Sequence, residues 1–185
     1  VATSARDFSG IERVGSTHGM KLTLQQAIFT ISNLSKKQRR LLDLIRDSYV
    51  VPLKVNGKEV FEQAQADEML KNLSELDLIN QDIVTLKDGI NVANTENFIE
   101  NKSLFALLEE VRLKRSILFD LEYLLKRDST TVENGVGVVQ YGVLNKKELA
   151  EKFNKLENEV NSLSEKIDSV NAKTEIEVKL FSSID

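Results

Sequence analysis

The stretch NKKELAEKFNKLENEVNSLSEKIDSV, residues 145–170, decides the fold class. Leu149, Phe153, Leu156, Val160, Leu163, Ile167 and Val170 recur at alternating steps of four and three residues. On a helix that spacing draws one continuous apolar stripe, a strict heptad seam. Asn145 precedes it as an N-cap, and Glu148 stands in the capping-box position. Charged and polar residues such as Glu151, Lys152, Lys155, Glu157 and Glu159 fill the other faces. A stripe of this kind must be covered, so these seven residues are expected to form a packing or oligomer seam.

Three further segments repeat the pattern with broader apolar faces. The first runs from about Thr23 to Asp47, with Leu24, Ala27, Ile28, Ile31, Leu34, Leu41, Leu42 and Ile45 on one side. Thr23 caps it, with Gln26 three residues on. The second runs from about Glu62 to Val92 through Ala66, Met69, Leu70, Leu73, Leu76, Ile79, Ile83, Leu86 and Ile90. Asn80, Asp77 and Lys87 interrupt or flank that face, and a polar residue on a seam fixes register at some cost in stability. The polar connection Asn91 to Lys102 follows. Ser103 then caps a third helix carrying Leu104, Leu107, Leu108, Val111, Leu118, Leu121, Leu124 and Leu125, with Arg112, Lys114 and Arg115 among them. Helices of roughly 25 residues span nearly 40 Å at 1.5 Å per residue.

Two inserts break the helical period. Val50 to Val55 is β-branched and carries Pro52, and Asn56-Gly57 leads into Lys58 to Phe61. Asn-Gly between such arms is a hairpin signal. The second insert, Ser129 to Leu144, places Asn134-Gly135 as a turn before a strand over Val136 to Val143. The two ribbons are expected to form one small sheet, within a subunit or between subunits. At the ends, Val1 to Gly19 has no helical stripe and reads as an extended arm, a leader remnant or a tag. The end of the chain from Thr174 to Asp185 alternates Ile176, Val178 and Leu180 and reads as a short strand or a docking tail. The domain limits that follow are an arm at 1–19, a helical domain at 20–178 with β inserts near 50–61 and 130–144, and a tail at 179–185.

Composition narrows the chemistry. The chain has 185 residues, a single proline and no cysteine or tryptophan. One proline lets helices run long, and the lack of cysteine excludes disulfides, thiolate metal sites and cysteine nucleophiles. The formal net charge is −4, with the two signs interspersed. The basic run Lys36-Lys37-Gln38-Arg39-Arg40 wraps around its helix and reads as a solvated face, so no nucleic-acid partner is expected. No apolar run reaches the length of a membrane span, and no membrane partner is expected. The expected setting is cytoplasmic, or else a virion or other assembly.

Catalytic constellations are not built by this sequence. The lone histidine, His18, cannot make a histidine metal site or a Ser/His/Asp set by itself. Gly135, Gly137 and Gly142 lack the helix start and third step of a dinucleotide loop. Glu109, Glu110, Asp120 and Glu122, with Asp77 and Asp82, read as solvated faces and ion pairs with nearby lysines. No catalytic, cofactor or metal site is assigned. Asn91, Asn94 and Tyr141 are candidate partner contacts, the two asparagines as a helix cap or as bonds across a subunit boundary.

The order of Met20-Lys21-Leu22 opening a helix, Ile90-Asn91 with Ala93-Asn94, Ser103-Leu104, Leu144-Asn145, and Ile167-Asp168 with Asn171-Ala172 resembles a family of short bacterial helical proteins of unknown function. Some members of that family carry the label septicolysin. The resemblance covers about Met20 to Val178 and rests on short motifs. It implies a helical, oligomer-forming protein with no assigned reaction, and the toxin label is not taken to imply a pore. The ribbon at 50–61 and the arm before Met20 depart from the pattern.

The expectation is an all-α fold: an antiparallel, coiled-coil-like bundle of four long helices with a small β ribbon. Its role is structural, as a homo-oligomer, with another protein as a further partner through residues 1–19 or the ribbons. One alternative is a component of a phage particle or filament that uses residues 1–19 as a docking arm. A metal-binding enzyme working by carboxylates alone, through Glu109 or Asp120, is the remaining alternative.

Overall fold

The computed structural model describes residues 16–128 and 130–182. Their elements, in order, are β1 (His18–Thr23), α1 (Leu24–Ser48), β2 (Lys54–Val55), β3 (Lys58–Glu59), α2 (Gln63–Glu96), β4 (Phe98–Ile99), β5 (Lys102–Ser103), α3 (Leu104–Lys126), β6 (Thr130–Glu133), β7 (Val138–Tyr141), α4 (Lys146–Asn171) and β8 (Glu175–Leu180). The four helices carry most of the chain. The strands form four separate two-stranded sheets, β1–β8, β2–β3, β4–β5 and β6–β7. Within the chain the two ribbons therefore do not join into one sheet, and the fold is mostly helical with small two-stranded sheets.

The helix starts follow local chemistry. The Thr23 hydroxyl accepts from the Gln26 N–H at 3.1 Å while the Gln26 side chain accepts from the Thr23 N–H at 2.9 Å, a reciprocal capping box. Ser103 accepts from the Ala106 N–H and Asn145 from the Glu148 N–H in the same manner. The turn between β2 and β3 is Asn56-Gly57, with φ of 51° and 78°, the left-handed pair that a two-residue hairpin demands.

The chain divides into two compact units. The first holds Ala27–Gly89, the segment up to Leu22, and the segment from Glu177. In it α1 and α2 are tied laterally by Gln38 donating to Asn80 at 2.6 Å and by a Lys37–Glu75 ion pair at 2.6 Å. Asn80 thus carries a polar contact between the two helices at its place on the seam. Ala27, Thr30, Leu34, Ile79, Ile83 and Leu86 are buried. Burial fades towards the ribbon end of the pair. Ile28 and Leu42 on α1, with Leu70 and Leu73 on α2, are exposed, against the apolar faces expected of them. A helix lying against one neighbour covers a single strip, and the flank of a broad face stays open.

The β1–β8 sheet corrects the reading of the N-terminal segment and bears out the strand reading of Ile176, Val178 and Leu180. Met20, Lys21 and Leu22 do not open a helix; they lie in β1. His18 and Gly19 belong to that strand too, so the expected arm at 1–19 ends inside it, and residues 1–15 lie outside the described residues. The expected tail at 179–185 likewise begins within β8, whose Ile176, Val178 and Leu180 are buried while Glu175, Glu177 and Lys179 face out. That alternation is the period of a strand with one covered face. Lys21 and Glu177 pair across it at 3.2 Å.

The second unit holds Ile90–Ile176 with Thr23–Gln26. α2 continues to Glu96, past the expected end at Val92, and the supposed connection is the last turns of α2 followed by the β4–β5 hairpin. α3 and α4 run antiparallel. Lys146 at the start of α4 donates to the Leu125 carbonyl near the end of α3, and Lys114 midway along α3 meets Glu159 midway along α4. The second ribbon pairs Thr130 with Tyr141 and Glu133 with Val138. Its strand is shorter than the expected span of Val136 to Val143 because Gly135 and Gly137, with φ of 92° and 68°, belong to the turn.

Candidate functional site: the helical seam and the exposed faces

The heptad stripe of α4 lies between the two helices of the second unit. Leu149, Val160 and Ile167 are buried, and Phe153, Leu156, Leu163 and Val170 are half-buried. On α3, Leu104, Leu107 and Val111 are buried, and Leu108, Leu118, Leu121 and Leu125 are half-buried. Each fully buried leucine or valine contributes roughly 1.5–3 kcal/mol relative to exposure. The stripe is thus used for packing within the chain. Leu124, expected on the inner face of α3, is exposed instead.

Ion pairs border this seam. Lys114 sits 3.0 Å from Glu110 and 3.1 Å from Glu159, joining α3 to α4. Glu110 also meets Lys102 at 2.7 Å. Hydrogen bonds from Lys102 and Lys114 hold the Glu110 carboxyl below the usual carboxylate range, and those that Lys114 gives to Glu110 and Glu159 raise its ammonium. Arg115 donates to Ser164, and Lys166 meets Glu100 at 2.9 Å. Glu109 pairs with Arg112 one turn along α3. These are structural ion pairs at the border of a packed seam. Among the described residues no group of three or more histidine, cysteine, aspartate or glutamate side chains is placed to hold a metal ion.

The candidate partner contacts fall in three places. Asn91 is exposed and Asn94 half-buried, both inside α2 rather than at its end, so neither caps it. The residue that acts there is Asn97, which donates to the Ala93 carbonyl at 2.7 Å while its own carbonyl accepts from Leu104. Tyr141 is exposed on β7. It lines an open cleft of about 280 Å³ with Arg127, Asp128, Thr131, Gln140 and Lys146. Both cations there are engaged: Lys146 donates to the Leu125 carbonyl at 2.6 Å, and Arg127 lies 5.7 Å from the centre of the Tyr123 ring.

Asp82 was read as part of a solvated face, and this is corrected. It is fully buried, and its two carboxylate oxygens accept the backbone N–H groups of Phe181 at 2.7 Å and Ser182 at 2.8 Å. The signal was present in the sequence: Ile79, Asp82, Ile83 and Leu86 share one helical face, so Asp82 interrupts a covered stripe. A buried carboxylate persists only where donors satisfy it, and here they come from the chain just beyond β8.

Large apolar side chains remain exposed on α3, on parts of α1 and α2, and on both ribbons, where Val50, Val136, Tyr141 and Val143 are the most open. α4 has no exposed large apolar side chain. Among the described residues no helix is long and apolar enough to cross a membrane. No protein-family model matches this chain, and no curated protein or solved structure matches it.

Proposed function

We propose that this chain is a non-enzymatic structural protein that assembles with copies of itself, its helices packing as a long antiparallel, coiled-coil-like bundle. The observation that supports this reading most directly is the uneven exposure of apolar side chains. α4 leaves none of its large ones exposed, while α3 leaves Phe119 and Tyr123 open at 74% and 60%. Exposed apolar residues scattered singly need no explanation, but a series along one helix marks a surface that another molecule covers. The polar groups point the same way. Asp82, Lys114 and Glu110 are each satisfied by groups of this chain, and groups so engaged brace a scaffold rather than stand ready for chemistry. The resemblance to oligomer-forming bacterial helical proteins agrees with this reading. Sedimentation equilibrium tests it. A mass of at least twice the 20.9 kDa of one chain is expected, and a monomer at every concentration up to roughly 100 µM would overturn the proposal.

A further inference from the structure

We infer that α3 carries a second, outward face through which two copies of the chain pair, α3 against α3, antiparallel about a two-fold axis. This rests on the self-assembly proposed above and names its surface. The face consists of Phe105, Leu113, Ile117, Phe119, Tyr123 and Leu124, all between 43% and 74% exposed. At 100° per residue they occupy an arc of about 160°, opposite the arc of Leu104, Leu107, Val111 and Leu118 that faces the interior. A helix with apolar residues on two faces leaves one of them open when a single neighbour packs against it, and α4 covers one.

Area and charge both point to a second copy as the occupant. With roughly 200 Å² for a fully open large side chain, the six residues expose about 650 Å². That total, shared with the polar residues set among them, is of the order of the 800 Å² or so that each partner contributes to a standard interface. The charged residues on the same arc are Glu109, Arg112, Asp120 and Arg127, which sum to zero. Acid and base alternate along the face, with Glu109 the first charge and Arg127 the last. A parallel pair would set like against like. An antiparallel pair centred near Leu118 sets Glu109 against the partner's Arg127, Leu113 against the partner's Tyr123, and Ile117 against the partner's Phe119. The pairing is self-complementary, as a two-fold interface requires, and it opposes the two helix dipoles.

The test is the mass of the full chain in solution, measured for wild type and variants over a range of concentrations. Phe119→Asp and Ile117→Asp each place a charge in the centre of the face, and each is expected to raise the dissociation constant at least about 100-fold. Phe119 lies outside the packed seam, so far-UV circular dichroism of Phe119→Asp stays that of wild type. Glu109→Arg alone weakens the pair, and adding Arg127→Glu on the same chain restores it, as only the antiparallel arrangement allows. If the wild type is oligomeric and both aspartate variants keep its mass, this face is wrong while self-assembly stands. A wild type that is monomeric throughout removes both. Failure of the double charge swap to restore what Glu109→Arg loses overturns the antiparallel pairing.

Discussion

Replacing Asp82 tests whether the segment beyond β8 is held by a single buried carboxylate. Asp82→Ala removes two charge-assisted hydrogen bonds, to the Phe181 and Ser182 N–H groups at 2.7 and 2.8 Å. Such bonds contribute about 1.5–3 kcal/mol each. Two terms reduce their sum. The alanine variant no longer buries a charge, and Phe181 and Ser182 are only half-buried, so water can reach part of the vacated space. The net expected loss is about 2–4 kcal/mol. Asp82→Asn is more discriminating. Its one carbonyl oxygen can still accept a single N–H, but its amide then turns a donor towards the other, for an expected loss of about 1–2 kcal/mol. Urea unfolding followed by far-UV circular dichroism measures the stabilities, and amide hydrogen exchange reads the site itself. The Phe181 and Ser182 amides are expected to exchange faster in both variants, while amides in α4 change only with global stability. A stability of Asp82→Ala within about 0.5 kcal/mol of wild type, with Phe181 and Ser182 still protected, would refute the reasoning.

Val160→Asp places a charge at a buried seam position between α3 and α4; it is expected to cost more than about 3 kcal/mol, and a thermal midpoint near that of wild type would show that the stripe is not packed. Gly57→Ala forces a side chain into φ of +78° and is expected to cost about 1 kcal/mol, read in the same unfolding experiment and in local amide shifts of the β2–β3 ribbon. The Glu110 carboxyl is held below its ordinary value by Lys102 and Lys114, so its folded form releases its proton more readily than the unfolded chain does. Its contribution to stability is present at neutral pH and lost as pH falls through the folded value. The stability gap between wild type and Glu110→Gln should therefore close in acid, and a gap that widens on acidification would contradict the assignment.

Much of the local structure was legible in the sequence because its causes lie within a few residues. Thr23 with Gln26, Ser103 and Asn145 cap helices as their spacing indicated, and Asn56-Gly57 turns a hairpin for the reason any L-residue finds that turn costly. The stripe from Leu149 to Val170 follows from the helical period alone. What was misread depends on groups far away along the chain. Met20–Leu22 form a strand because β8, near the other end of the chain, offers its backbone. Asp82 is buried because its donors lie about a hundred residues on, at Phe181 and Ser182.

By itself, then, the sequence determined where the capped helices start and which residue periods they carry, because capping, turn geometry and helical spacing act over one or two turns. Only the tertiary structure decided which of two apolar arcs on a helix is covered. Leu107 and Phe105 are both apolar residues of α3, yet one is 4% exposed and the other 50%. Spacing records both arcs alike, and only the position of α4 separates a core from a face left exposed.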